Sequence, residues 1–249
     1  MLSQNKSEEL HIWYNHNINM DQRNELPKPP NPERFTDAEI LKPEHTALIV
    51  VDMQNDFLDP KGKFVKWKRD ISPMQAVVPH VNQLVEAAHK AGVPVIYTLG
   101  YEDLEFRDEP GQWRYVRFES DGEVCSKKGT WGAEFYKDIH PRAGDIVVEK
   151  HDWSAFTGTD ALGNRLDQIL REMGTITIVV AGVKTEVCVD DTVIEGKSRG
   201  FFVVIPREAV ATDRVNMQEP HLEKWDFKSG KVMRTDEVIQ NWPAKGSRS

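Results

Sequence analysis

Cysteine is scarce in this sequence, with only Cys125 and Cys188 among 249 residues. Small secreted proteins that are held together by disulfides carry more cysteines, so a disulfide framework is excluded. A chain of this length buries a sizeable core without such cross-links. Two thiols in a medium-sized domain indicate a reducing compartment, where a cysteine is free to act as a reactive group.

Long apolar runs are also missing. No stretch approaches the roughly 18 consecutive apolar residues that span a bilayer. The first 17 residues are polar and lack the apolar segment of a signal peptide. A cytoplasmic protein that does not bind membranes is therefore predicted. The net charge of −8 excludes a broad nucleic-acid surface, which needs dense Lys and Arg, but it leaves room for a local basic pocket.

What the sequence does contain is an alternation of apolar strands and amphipathic helices. Residues 1–43 are polar and proline-containing, so we predict an extended N-terminal arm there and one domain over residues 44–249. Strands are predicted at residues 46–52, 93–98, 145–150, 177–182, 201–205 and 231–233. Helices are predicted at residues 74–91, 160–173, 186–199 and 217–227. This alternation is typical of a parallel α/β sheet with right-handed crossovers.

Three reactive side chains fall at the carboxyl ends of predicted strands, where open parallel sheets bind ligands. Asp52 ends the first strand, Lys150 ends the third, and Cys188 follows the fourth at the start of a helix. A helix N-terminus and a nearby ammonium stabilise a thiolate, and a carboxylate can accept the thiol proton. The pattern predicts Cys188 as nucleophile, Asp52 as base and Lys150 as counter-charge.

Each of these residues also has a purely structural interpretation. A buried cysteine at a helix start often only packs, and an aspartate that ends a strand often caps a turn. A terminal lysine is often just solvated. The coincidence of all three groups at one sheet edge favours catalysis. The backbone N–H groups of Lys184 and Cys188 are then predicted to form an oxyanion hole.

Three blocks around these residues resemble the isochorismatase-like cysteine hydrolases. They are Ala47–Phe57, Glu149–Asp160 and Val180–Thr192. The resemblance covers roughly residues 43–240 and leaves the arm outside. It implies a three-layer, doubly wound α/β fold, with a mostly parallel six-stranded sheet and helices on both faces.

The resemblance places a catalytic triad on Asp52, Lys150 and Cys188. It also implies a non-proline cis peptide bond between Val183 and Lys184, just before the nucleophile. Lysine is unusual at the second of these positions, where the family more often has small or aliphatic residues. Its side chain either points away from the pocket or helps to bind an anionic substrate, and the sequence leaves both open.

The presence of Cys188 and the absence of histidine from one segment indicate which subgroup of this family the chain resembles. Cys188 argues against isochorismatases proper, which lack the cysteine. No histidine occurs in residues 100–108, so the metal site of nicotinamidases is not expected, and neither a metal nor a cofactor is predicted. The remaining group resembles N-carbamoylsarcosine amidase, ureidoacrylate amidohydrolase and biuret hydrolase, which release ammonia from a terminal carbamoyl or amide group. We expect a small ureide substrate of the biuret, triuret, ureidoacrylate or N-carbamoyl amino acid type.

Two alternatives stand beside this prediction. One is a hydrolase of another small primary amide, of the maleamate or nicotinamide type. The other is a catalytically silent binding module with the same fold, against which the complete triad argues. The resemblance further implies a homo-oligomer, either a dimer or a tetramer.

Further residues are predicted around the substrate. The expected pocket residues are Phe57, Trp153, Gln54 and Thr185, of which the two aromatic residues could equally belong to the core. A charged insertion over residues 100–143 is expected above the site or at a subunit contact. One of its cations could clamp a substrate carboxylate, although such charges are usually solvated. These cations are Arg107, Arg114, Arg117, Lys127 and Lys128. Cys125 also lies in the insertion and ranks below Cys188.

Overall fold

A seven-stranded sheet organises the part of the chain that the structure describes. The structure is a computed structural model, which describes residues 35–106, 108–116 and 124–246. The strands are β1 (Thr46–Val51), β2 (Val95–Gly100), β3 (Ile146–Lys150), β4 (Thr177–Val183), β5 (Phe202–Pro206), β6 (Val210–Ala211) and β7 (Lys231–Met233). Every residue of β1 and β4 is buried, as expected for central strands covered on both faces.

The strand order is β3-β2-β1-β4-β5-β7, with β6 paired to β4, and all of these pairings are parallel. The chain builds outward from β1 in one direction through β2 and β3, and in the other direction from β4. The order therefore reverses between β1 and β4, and the carboxyl ends of strands beside such a reversal form a ligand-binding crevice.

Helices cover both faces of the sheet. They are α1 (Asp37–Ile40), α2 (Asn55–Leu58), α3 (Lys63–Lys66), α4 (Ser72–Ala76), α5 (Val78–Ala91), α6 (Glu109–Val116), α7 (Leu166–Glu172), α8 (Asp190–Ser198), α9 (Val215–Lys228) and α10 (Thr235–Gln240). The side chains of β1 alternate between two cores. Leu48 and Val50 pack with α5, whereas Ala47 and Ile49 pack with α7 and α8. This alternation confirms the predicted arrangement of three layers.

The predicted strands and helices are present, with small differences. The sheet has seven strands where six were predicted, because β6 has only two residues and leaves no apolar run to read. The helix predicted over residues 74–91 is divided into α4 and α5, and the one predicted over 160–173 begins only at Leu166. The insertion contributes α6 and short 3₁₀ turns at Leu104–Phe106 and Trp131–Ala133.

The predicted arm lies outside the described residues as far as residue 34. Its last part includes α1, and Leu41 after it is fully buried. One compact unit extends over Asp37–Ser249 and contains all of the strands and helices named above. The boundary at residue 43 stays a prediction. Among the described helices, none is long and apolar enough to cross a membrane.

Gly182 lies in β4 where no side chain fits against β1. It pairs with Val51, and its φ of 120° lies in the region that favours glycine. A β-carbon at Gly182 would lie 2.1 Å from the carbonyl oxygen of Val51. Because Asp52 follows Val51 directly, this contact fixes the end of β1 on which the first candidate catalytic residue sits.

Replacing Gly182 by alanine should destabilise the fold strongly. We expect the free energy of unfolding to fall by about 3 kcal/mol or more, because backbone strain and steric overlap add. Gly174→Ala is the matched control, since Gly174 has a φ of 69° but nothing within 4 Å of an added β-carbon. It should cost only about 1 kcal/mol. Equal losses for the two variants in urea unfolding would contradict the close approach.

Candidate active site

Asp52, Lys150 and Cys188 meet at the carboxyl edge of the sheet. Asp52 follows β1 with a φ of 49°, Lys150 is the last residue of β3, and Cys188 lies in the turn after β4. The Nζ of Lys150 is 2.7 Å from Oδ2 of Asp52, and both side chains are only 1% exposed. The negative charge of the Asp52 carboxylate also acts on the thiol of Cys188 and helps to raise its pKa. The structure thus brings the three predicted catalytic residues together.

Strand β2 lies between the two members of this ion pair, and Gly100 makes the contact possible. Gly100 pairs with Lys150 in the sheet. A β-carbon at Gly100 would be 3.1 Å from Oδ2 of Asp52 and 3.2 Å from Nζ of Lys150. A side chain would therefore crowd both charged groups. The missing β-carbon lets the lysine reach across β2 to the aspartate.

The remaining hydrogen bonds of the pair come from Thr98 in β2 and from the segment after β3. The hydroxyl of Thr98 donates to Oδ1 of Asp52 at 2.5 Å and accepts from the Asp52 N–H at 3.1 Å. Lys150 Nζ donates to the carbonyl of Asp152 at 3.1 Å. Buried charges are tolerated only when they are paired and hydrogen-bonded in this way. Thr98 was not among the predicted residues, although its place near the end of a strand next to β1 was a usable signal.

The pKa values of the site reflect burial and neighbouring charge. Burial raises the pKa of the Cys188 thiol well above its ordinary value; the positive charge of Lys150 opposes the rise, and the negative charges of Asp52 and Glu102 add to it. Burial works against the ammonium of Lys150, yet Asp52, with Cys188 and Glu102, raises its pKa above the ordinary value. The resting site therefore holds a protonated thiol beside a charged lysine.

The turn that carries Cys188 differs from the predicted regular helix start. The Val183–Lys184 peptide bond is cis, at the position where the resemblance implies one. Thr185–Val189 then form a π-helical turn, and the carbonyl of Lys184 accepts from the N–H groups of Val187 and Val189 at 3.2 and 3.1 Å. Helix α8 begins only at Asp190. Such single π turns occur often at functional sites.

A cavity of about 290 Å³ opens beside Cys188. Four predicted residues line it together with Cys188: Phe57, Trp153, Val183 and Lys184. Phe57 packs edge-on against Phe64, with 5.0 Å between ring centroids. Several other lining residues were not among the predicted ones, because only folding brings the segment after α2 and the loop after β6 to this cavity. They are Phe64, Trp67, Arg69, Glu102 and Arg214.

Gln54 and Thr185 were predicted to line the pocket, and the structure corrects both. Gln54 is fully buried and hydrogen-bonds to the carbonyls of Gly100 and Ala133 and to the N–H of Gly100, so it secures the end of β2. Thr185 is fully buried and donates to Oε1 of Gln218 in α9 at 2.7 Å. Both side chains support the walls of the site from behind.

The insertion supplies only part of what was expected. Arg107 and Arg117 lie outside the described residues, as does the side chain of Arg114. Lys128 pairs with Glu149 and lies over the ring of Tyr101, away from the cavity lining. Cys125 does line the cavity, with its Sγ 3.7 Å from Oγ of Ser126. Within the described ranges, no group of three or more His, Cys, Asp or Glu side chains is placed to hold a metal ion.

Known proteins resemble this chain in sequence. Residues 46–237 match the isochorismatase domain. Ureidoacrylate amidohydrolase RutB of Pseudomonas syringae pv. syringae is 32% identical over 197 residues, which cover 74% of this chain and 76% of that protein. RutB of Acinetobacter baylyi is 34% identical over 176 residues, which cover 66% of this chain and 69% of that protein.

Solved structures resemble the fold. A cysteine hydrolase from Pseudomonas syringae pv. phaseolicola superposes with a TM-score of 0.67 at 28% identity, covering 80% of this chain and 92% of that one. N-carbamoylsarcosine amidase from Thermoplasma acidophilum gives a TM-score of 0.61 at 28% identity, covering 77% of this chain and 97% of that one. Sequence and fold agree, and the chain belongs to the isochorismatase family.

Proposed function

We propose that this chain is a cysteine-dependent amidohydrolase that releases ammonia from a small ureide. One observation carries the proposal: the Cys188 thiol lines a cavity and is close enough to the Asp52 carboxylate to feel its charge, and that carboxylate is itself paired with a buried lysine. A nucleophile, its base and a counter-charge are the parts that covalent amide hydrolysis requires. The names of the relatives, ureidoacrylate amidohydrolase and N-carbamoylsarcosine amidase, support the choice of an amide or ureide bond.

In the first step, Asp52 takes the thiol proton as Sγ of Cys188 attacks the carbonyl carbon. Because burial keeps the thiol protonated at rest, proton transfer and attack are coupled. The carbonyl oxygen becomes an oxyanion, which accepts hydrogen bonds from the backbone N–H groups of Lys184 and Cys188. Lys150 stays charged and stabilises the negative charge that Asp52 and Cys188 share.

In the second step, the tetrahedral intermediate collapses and the C–N bond breaks. Asp52 gives its proton to the departing nitrogen, so that ammonia leaves and a thiocarbamate remains on Cys188. Water then attacks the thiocarbamate carbon while Asp52 accepts one of its protons. The C–S bond breaks, the proton returns to Sγ, and the free carbamic acid leaves. One carboxylate thus moves protons in both directions, as a base and then as an acid.

The size of the cavity favours a compact substrate. A volume of about 290 Å³ lies at the small end of the range of ligand pockets, roughly 300–1,000 Å³, which suits a molecule of compact size. Small ureides of the biuret, ureidoacrylate or N-carbamoyl amino acid type have this size. Maleamate and nicotinamide are similarly small and stay the alternative substrates. The assembled triad argues against a silent binding module, while the homo-oligomeric state and the cytoplasmic location stay predictions.

Ammonia release from a panel of compounds tests the proposal. Biuret, ureidoacrylate and N-carbamoylsarcosine represent the ureides, and maleamate and nicotinamide represent the simple amides. We expect kcat/KM to be highest for a ureide. A clear preference for a simple amide would replace the proposed substrate class, and no turnover of any compound would favour the silent module.

Removing the thiol should abolish catalysis. For Cys188→Ala we expect kcat to fall by at least about 10⁴-fold, because the covalent intermediate cannot form. Cys125→Ala serves as the comparison, since it removes the other thiol and leaves Asp52 and Lys150 in place. A Cys188→Ala enzyme that keeps substantial turnover, with an unchanged circular dichroism spectrum, would remove Cys188 from the mechanism.

Thr98 should matter through the orientation of Asp52. Thr98→Val removes the hydroxyl that accepts a hydrogen bond from the Asp52 N–H and donates one to Oδ1 of Asp52. Each tenfold loss of rate corresponds to about 1.4 kcal/mol of activation free energy. We expect kcat to fall about 10-fold to 100-fold, since lost buried hydrogen bonds cost about 1–3 kcal/mol. Thr98→Ser keeps the hydroxyl and should stay close to the wild type. Equal kcat values for the valine and serine variants would contradict this role.

A further inference from the structure

Lys184 stands at an unusual place, and the structure shows where its side chain goes. The side chain is only 10% exposed, and its Nζ lies 2.7 Å from Oδ1 of Asp213 and 3.4 Å from Oε1 of Glu186. Asp213 and Glu186 are themselves buried, with side-chain exposures of 5% and 7%. The ammonium is therefore held between two carboxylates beside the cavity.

Asp213 connects this lysine to Arg69, which also lines the cavity. Its second oxygen, Oδ2, lies 3.1 Å from a guanidinium nitrogen of Arg69. Burial alone would raise the pKa of Asp213, but the charges of Lys184 and then Arg69 prevail and lower it. Asp213 thus stays negative at neutral pH and binds one cation with each oxygen.

The chain of ion pairs continues into the aromatic wall of the cavity. The guanidinium of Arg69 lies over the rings of Phe64 and Trp67, at 4.7 and 5.4 Å from their centroids. Nζ of Lys184 lies 5.2 Å from the centroid of the same Phe64 ring. Cations over aromatic faces are attracted by the ring quadrupole. The aromatic wall is thereby joined through Asp213 to Lys184, which directly precedes the Thr185–Val189 turn that carries Cys188.

The charges in this network balance. Lys184 and Arg69 contribute two cations, and Asp213 and Glu186 contribute two carboxylates. The ammonium of Lys184 already has two buried partners, so a substrate carboxylate would have to compete with both. Of the two interpretations that the sequence left open for Lys184, a side chain that points away from the pocket is not what the structure shows, because Lys184 lines the cavity; substrate binding stays a prediction, and the balanced charges argue against it. They argue for a side chain that is committed to the protein.

The anchoring of the Lys184 side chain bears on the proposed catalysis through the main chain of the same residue. Its carbonyl accepts two hydrogen bonds from the turn that carries Cys188. Its N–H is one of the two oxyanion donors in the mechanism proposed above. A residue whose side chain is anchored at Nζ and whose carbonyl is anchored in the turn has little freedom to rotate its peptide groups.

We propose that Lys184 is a positioning residue: its ion pairs with Asp213 and Glu186 hold its own peptide N–H in the direction of the developing oxyanion. The inference rests on the proposed function. The side chain does not touch the substrate, and it acts through the main chain of the same residue. Misplacing a catalytic group by about 1 Å can cost about 10²-fold in rate, so loss of the anchor should be visible in kcat.

The test compares Lys184→Met, Lys184→Arg and Lys224→Met with the wild type. Methionine keeps the length of the side chain without its charge, and arginine restores the charge. Lys224→Met is the matched control, because Lys224 Nζ lies 2.6 Å from Oδ2 of Asp190 but does not line the cavity. For each variant kcat and KM are measured with biuret, which is neutral, and with ureidoacrylate, which is anionic, and the melting temperature is recorded.

For Lys184→Met we expect kcat to fall about 10²-fold with both substrates while KM changes little. Lys184→Arg should recover most of the loss, and Lys224→Met should keep its kcat. An increase in KM for the anionic substrate alone would overturn the proposal, since it would show that the ammonium binds the substrate. A lower melting temperature with an unchanged kcat would also overturn it.

Lys184→Met leaves Glu186 buried without its cation, which can prevent folding. The double variant Lys184→Met/Glu186→Gln removes that charge as well, while Asp213 keeps Arg69. It should fold and show the same loss of kcat. The proposed function is tested separately by Cys188→Ala. If that variant loses turnover while Lys184→Met and the double variant keep it, the function stands and only the positioning role fails.

Discussion

The buried ion pair between Asp52 and Lys150 is the interaction on which the rest of the site depends. Removing two charges from water costs several kcal/mol per ion, and only close pairing with further hydrogen bonds offsets that cost. Here Thr98 and the carbonyl of Asp152 complete the pairing. The lysine reaches across β2 at Gly100, where an added β-carbon would lie only 3.1 Å from Oδ2 of Asp52 and 3.2 Å from Nζ of Lys150. One electrostatic contact therefore constrains three neighbouring strands.

The same pair also influences the protonation of the Cys188 thiol. Burial raises the pKa of Cys188 and keeps it a thiol, while the positive charge of Lys150 opposes that rise. Many reactive cysteines rely on a lowered pKa at rest. In the proposed mechanism the thiol is protonated at rest and gives its proton to Asp52 only as it attacks the substrate carbonyl. A resting thiol is also less open to oxidation than a thiolate.

A second ionic network joins the turn that carries Cys188 to the wall of the cavity. Asp213 receives Lys184 from the turn and Arg69 from the cavity wall, so that Cys188 is flanked by two separate sets of buried charges. The first set includes the groups that move protons in the proposed mechanism. The second set connects Lys184, in front of the turn that carries Cys188, to Arg69 and to the ring of Phe64 in the cavity wall. Precise placement of oxyanion donors depends on such surroundings, because the donors themselves are only backbone groups.

The sequence by itself determined the order of strands and helices, because apolar periodicity is a local feature. It also determined the candidates Asp52, Lys150 and Cys188, because a parallel topology brings the carboxyl ends of its strands to one edge of the sheet. Packing between distant segments decided several other features. They are the two-residue strand β6, the π-helical turn and the positions of Gln54 and Thr185. The cavity wall with Phe64 and Arg69, and the commitment of Lys184 to Asp213, were decided only by the tertiary structure. These contacts join residues far apart in the chain, and no local pattern records which buried charge will find which partner.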